Sequence, residues 1–430
     1  MKRTAYYILY IIFILSFFQG VLSQFFTISE SFTRILIHIL ILTLISFSFL
    51  SLIHKKAIYK KTTLLFSFLL LTIFISAVLN NMQFAMVLLF LRAYILPLLF
   101  FYALIIIDLT KKQQKNLLKL LIILFLIQIP ATIYKLLTIG PGENIIGTVS
   151  IDSGSVATIL PLLAISFIIL YNDFYKKRIY LLLIPLFILI GIASMKLAII
   201  VYLVALMFFI FSLNNNLKIL FSMRTVKYII MFFILSSSMI FVILNTNARL
   251  LKHGQFNLDY AIKYVETYTQ RDRGVGDAKG ASRLSAVPVV FNLLEQKGFE
   301  HVLLGFGPGD IIKSSLSKYS NPAYEKYQLG YGVRTGFLQL TMQIGIIGAI
   351  LYLSIHIIIF LMLFNNKKNI INYSVNDALI LLIAISFIFI FLIDFFSYST
   401  VLMKQTAMTL TYFFILAYAI SITRNIHAKA

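Results

Sequence analysis

The chain has 430 residues, 60% of them hydrophobic and only 12% charged, with a net charge of +22. A water-soluble globular protein is excluded, because so few polar groups cannot cover the surface of a chain this size. Nucleic acid is excluded as a partner by where the cations lie, in short clusters between apolar runs, as in a membrane protein seated against an anionic leaflet.

Lys2 and Arg3 followed by the apolar run 5–23 resemble a signal peptide, yet the run is long and lacks a small-x-small cleavage site. It reads as a retained first helix. Crossing about 30 Å of hydrocarbon takes about 20 residues. Further apolar runs lie at 35–53, 63–79, 83–107, 117–137, 155–171, 179–194, 197–213, 226–244, 337–363, 378–396 and 401–422. The expectation is an all-α integral membrane protein of about twelve helices, the seventh and eighth short and nearly continuous. With the N-terminus inside, the inner segments hold twenty Lys and Arg, and the short outer segments hold four: Arg34, Lys135, Lys196 and Lys404. That asymmetry predicts both termini in the cytoplasm.

Three regions follow: helices one to nine over 1–244, a large outer loop over 245–336, and helices ten to twelve with the tail over 337–430. In the loop, Phe256, Tyr260, Ala261, Tyr264, Val265 and Tyr268 fall at helical spacing. A second stripe is Leu284, Val287, Phe291 and Leu294, with Ser285 as a cap, Pro288 in the first turn and Gly298 at the end. Twelve cations and eight acids give the loop a balance of +4, which suits an anionic ligand.

Arg92 lies about nine residues inside the fourth helix. A charge at that depth costs roughly 2.5–3.5 kcal/mol on insertion scales, so it should face a polar cavity or an anionic substrate. Lys196 stands at the outer mouth of helices seven and eight, and Asp394 and Lys404 near the outer ends of the last two read as a structural pair. The run Gly305-Phe306-Gly307-Pro308-Gly309-Asp310 lacks the Gly-Lys-Ser/Thr ending of a phosphate loop and reads as a tight turn into a helix capped by Asp310. His253 and His301 have no ligand partners nearby, and with no cysteine in the chain neither a metal nor another cofactor is expected.

The order of motifs resembles the O-antigen polymerase and O-antigen ligase superfamily. Arg283-Leu-Ser-Ala-Val-Pro-Val-Val-Phe, followed by Gly305-Phe-Gly-Pro-Gly309, is similar to its arginine-then-glycine signature. Arg334-Thr-Gly-Phe-Leu-Gln-Leu, with Gly345-Ile-Ile-Gly348, resembles its entry into the helix after the loop, and Ser194-Met-Lys196 a third feature. Ligases open that helix with a histidine, where this chain has Arg334, so the resemblance points to a polymerase. It implies a GT-C-like fold and metal-independent glycosyl transfer at the outer face. There a growing glycan would leave its polyprenyl pyrophosphate and join a sugar hydroxyl of an incoming lipid-linked unit. Arg283, Arg334 and Lys196 would stabilise the leaving pyrophosphate, with Arg92 binding substrate. Glu143, Asp152 and Glu295 are the candidate bases. Expected partners are polyprenyl-pyrophosphate-linked oligosaccharide, membrane lipid and a chain-length regulator protein. The alternatives are a ligase acting on lipid A core and a flippase or other transporter, for which charges through the full membrane depth and related halves are expected.

Overall fold

The computed structural model describes residues 2–52, 60–140, 145–149, 155–194, 198–213, 273–275, 278–280, 286–312, 326–327, 334–371, 374–398, 400–404 and 406–427. These residues are helical apart from turns and one antiparallel hairpin, Arg273–Val275 (β1) with Ala278–Gly280 (β2), in which Arg273 faces Gly280. Eight helical segments among them are long and apolar enough to cross a membrane. A bent helix pair makes nine when taken as one span. The protein is therefore an all-α, membrane-spanning chain.

In order, the helices are α1 (Lys2–Phe17), α2 (Gln19–Phe25), α3 (Glu30–Leu52) and α4 (Lys60–Leu79). Then come α5 (Phe84–Phe90), α6 (Leu96–Ile107), α7 (Lys111–Ile139), α8 (Val156–Tyr175), α9 (Leu183–Ala193) and α10 (Ala198–Leu213). The large loop contributes α11 (Ala286–Glu295) and α12 (Phe299–Leu304). The last helices are α13 (Gly336–Ile371), α14 (Val375–Ile393), α15 (Val401–Lys404) and α16 (Thr406–His427).

The first expected span is not one straight rod: α1 and α2 meet at a 58° bend. The seventh and eighth runs form helices shorter than a standard crossing. A five-residue 3₁₀ turn, Arg178–Leu182, precedes the eleven residues of α9. At about 2.0 Å per residue against about 1.5 Å, that turn stretches the short run to about 26 Å. The expected ninth span, 226–244, lies outside the described residues, as does the first amphipathic stripe of the loop.

Burial separates the centre of the bundle from its lipid face. In α14 every residue from Ala378 to Ile388 is buried, and in α16 so are Ala407 to Thr423. In α3 and α4, large side chains such as Phe49, Leu71 and Phe74 remain exposed although nearly all their neighbours are apolar. That is the surface expected against lipid tails.

Contacts sort the helix ends into two sets. At one end Asp108 takes a hydrogen bond from Ser421 at 3.3 Å and pairs with Arg424 and, at 3.8 Å, with Lys2. Lys111 pairs with Asp377 at 3.2 Å there, and Tyr175 bonds Asn376. Five of the expected inner segments meet at this end, and those around Lys55 and Lys218 lie outside the described residues. At the other end Ser76 and Asn80, closing α4, contact the loop residues Leu304 and Gly305. The loop helices therefore sit opposite the basic end, as the charge alternation requires.

The loop packs as a small satellite core of Ala286, Val290, Leu294, Phe306, Ile311, Leu338 and Met342. The buried stripe of α11 is Ala286–Val290–Leu294: Leu294 is buried as expected, Phe291 is half-buried and Val287 is exposed, while Leu284 lies outside the described residues. On that face α11 lies against α12 and the start of α13.

Candidate functional site

The glycine-rich turn does not bind an anion through its own backbone; it is a wedge. Helix α13 breaks at Ile344 and Gly345, and Gly345 takes φ +69°. Phe306 N–H donates to Met342 O at 2.7 Å and Gly307 N–H to Gln343 O at 3.1 Å, taking carbonyls freed by the break. The fit leaves no room for side chains. A Cβ on Gly345 would lie 1.9 Å from Leu303 O, and one on Gly305 2.6 Å from Gly345 N. Ser76 Oγ closes the joint by donating to Leu304 O at 2.5 Å.

Asp310 is buried, but in the described residues it pairs with Lys326 and accepts from the Tyr327 hydroxyl at 2.7 Å. The expected helix beyond it lies outside the described residues. Burial, and then the bond to Asp310, raise the Tyr327 phenol, which stays protonated as the donor. Its ring stacks on Phe306 at 5.2 Å, so the pair clips the wedge in place.

The break aims Gln343 into a polar network. Its Oε1 accepts from Gly309 N–H at 3.1 Å, and its Nε2 donates to Gln339 O at 3.0 Å and Tyr94 Oη at 3.4 Å. The Tyr94 hydroxyl donates to Gln339 Oε1 at 3.3 Å. Lys404 donates to the same oxygen, with its ammonium 4.9 Å over the Tyr94 ring. Lys404 lies between the last two spans, where burial pushes its ammonium down to about 7. The expected structural pair with Asp394 is replaced by these partners. Asp394 Oδ2 instead accepts from Leu402 N–H at 2.7 Å, which starts α15 and places Lys404 at its end.

Two π turns frame the network: Leu91–Ile95 between α5 and α6, and Asp394–Tyr398 after α14. Such one-turn widenings offset the side chains that follow and recur at functional sites. Arg92 is on the first, exposed and within electrostatic reach of Arg34 and His38. Arg34 is itself held by Glu30 at 2.7 Å.

Arg334 is exposed at the turn just before α13, five residues ahead of Gln339. The elements carrying Arg92 and Arg334 are thus tied together by the Tyr94–Gln339 bond. Lys196 and Arg283 lie outside the described residues, as do Glu143, Asp152 and His253. Glu295 is exposed at the end of α11, and His301 is 3.5 Å from Glu300. Among the described residues no three His, Asp or Glu side chains are placed to hold a metal.

Sequence reasoning missed Tyr94, Gln339 and Gln343. Their signal was present: two glutamines spaced i, i+4 in an otherwise apolar stretch, which puts both amides on one helix face. No protein-family model matches the chain, and the comparison with curated proteins gives no match.

Proposed function

We propose that this protein is a polysaccharide polymerase of the bacterial inner membrane. It would extend a glycan carried on polyprenyl pyrophosphate at the outer face. The anomeric C–O bond to the pyrophosphate breaks and a C–O bond to the acceptor hydroxyl forms. The hydroxyl proton passes to a base, and the polyprenyl pyrophosphate leaves with the electron pair. The observation that carries this reading is the joining of two cation-bearing elements at the loop end. Arg92 and Arg334 flank an amide and phenol network that ends on Lys404. Guanidinium and ammonium groups at a membrane surface suit a leaving pyrophosphate, and uncharged amides suit sugar hydroxyls.

The orientation belongs to the same proposal, with the basic end in the cytoplasm and the loop end outside. A reporter active only outside the cytoplasm works when fused near Lys279 and fails near Lys112 or Lys367; activity at Lys112 reverses the orientation.

The reaction is tested with purified protein and its lipid-linked repeat units. A ladder of lengthened glycans on the polyprenyl carrier is expected. Transfer only to a lipid A core acceptor would make the protein a ligase. Movement of intact units across a vesicle membrane, without lengthening, would make it a flippase.

A further inference from the structure

A second cation at the loop end is buried without a hydrogen-bond partner among the described residues. Lys135 stands one turn before the end of α7, is 5% exposed, and its Nζ has no hydrogen-bond partner among the described residues. An ammonium has three donors and is costly to bury unpaired, so an unspent one is unusual. It borders a cavity of about 280 Å³, whose lining includes Val21, Gln24, Phe25, Thr138 and Thr148.

The cavity is built rather than incidental. The bend between α1 and α2 turns α2 into one wall, and the segment 145–149 forms another. That segment is pinned from several directions. Gln128 Oε1 accepts from Thr148 N–H at 2.7 Å, and Thr132 Oγ1 from Gly147 N–H at 2.9 Å. Thr148 Oγ1 donates to Phe17 O at 2.7 Å, and Gly20 N–H to Thr148 O at 2.9 Å. These bonds fix the wall formed by 145–149 and use none of the Lys135 donors. Glu30 acts on Lys135 electrostatically, but its Oε2 is held by Arg34 at 2.7 Å. Part of the lining is apolar and open to the surface: Phe25 and Ile139 are 66% and 62% exposed.

We infer that this cavity binds the phosphate head of an amphiphile, with Lys135 on the phosphate oxygens and the apolar chain running over Phe25 and Ile139. Three free donors match a group with several acceptor oxygens, and the rim supplies the surface for a hydrocarbon tail. The phosphate can come from a bilayer phospholipid or from a polyprenyl phosphate. The inference stands apart from the polymerase reading, which uses none of these residues.

Native mass spectrometry of the full chain in uncharged detergent tests it, with phosphatidylglycerol, a short-chain polyprenyl phosphate and an uncharged diacylglycerol as probes. At least one phosphate-headed probe is retained, and the diacylglycerol is not. Lys135→Met weakens retention at least tenfold, and Lys135→Arg restores most of it. Ala131→Phe, which fills the cavity and keeps the lysine, weakens retention as much and covers the case in which the methionine variant does not fold. Loss confined to phosphatidylglycerol assigns the site to bilayer lipid, and loss confined to polyprenyl phosphate assigns it to the carrier. Unchanged retention in both Lys135→Met and Ala131→Phe overturns the inference, as does equal retention of diacylglycerol.

Discussion

Lys404 and Tyr94 donate to the same oxygen, Gln339 Oε1, while the Lys404 ammonium stands 4.9 Å over the Tyr94 ring. A cation–π contact and one amide acceptor compensate only part of the water lost on burial. The ammonium is accordingly pushed from 10.5 down to about 7.

Two opposite pH effects follow in the window between about 7 and 10.5. The unfolded chain binds more protons there than the folded one, so stability rises with pH across it. Affinity for an anion that needs the charged lysine falls across the same window. Raising the pH from 6 to 8 weakens pyrophosphate-lipid binding about tenfold, the proton-linkage expectation for one group titrating near 7. Lys404→Arg flattens the profile because guanidinium stays charged. Measuring affinity at both pH values decides it: a flat wild-type profile removes Lys404 from anion binding.

Gly345 bears on the wedge itself. Its φ of +69° and a Cβ position 1.9 Å from Leu303 O make alanine there both strained and overpacked. Backbone strain in this region costs about 1–3 kcal/mol. Overpacking adds about 1–3 kcal/mol. Gly140, at φ +85° with open space around its Cβ position, carries only the first cost. Thermal unfolding in detergent should rank Gly345→Ala well below Gly140→Ala. Equal midpoints would mean that the loop can leave the break without penalty.

How far the sequence foretells this fold depends on the kind of interaction. Composition and the cation alternation depend on single residues against a bilayer, so the membrane class and the opposition of loop and basic ends were legible. The break at Gly345 was not. It depends on Leu303–Gly307, some forty residues upstream, supplying partners for the carbonyls the break frees. For the same reason Gly305–Asp310 looked like a turn and not like a wedge, and Val287 was expected on the buried face of α11. Arg92 stood out as a candidate because a charge in an apolar run is visible by itself. Tyr94 and Gln339 carry no charge, and their importance lies in each other's position.

Arg92 offers a direct comparison of charge and shape. It is exposed on its π turn with a second cation, Arg34, in electrostatic reach. Arg92→Lys keeps the charge and loses the bidentate fork, so polymerisation slows several-fold while membrane insertion is unchanged. Arg92→Leu inserts equally well and lowers polymerisation by about tenfold or more, the equivalent of about 1.4 kcal/mol. Glycan length distributions from cells with equal membrane levels of each variant provide the measurement. Normal lengths from Arg92→Leu would leave Arg92 a bystander.

Arg334 carries the most specific expectation. It is exposed at the turn entering α13, and the bond from Tyr94 to Gln339 fixes the next turn of that helix against the Arg92 element. A charge-assisted contact to phosphate contributes roughly 1.5–3 kcal/mol. Its loss should therefore slow transfer about 10-fold to 100-fold. Arg334→Ala should reach normal membrane levels yet yield single units or very short glycans. Its thermal midpoint should stay near wild type, since the side chain is exposed and lies outside the wedge. Arg334→His tests the comparison with ligases, which place histidine at this position. If polymerisation stays as low as in the alanine variant, the guanidinium's charge and fork are what the reaction needs, and a histidine mechanism is ruled out. Wild-type polymer from Arg334→Ala would remove this residue from the site and, with it, the pyrophosphate contact that the proposed reaction places at the start of α13.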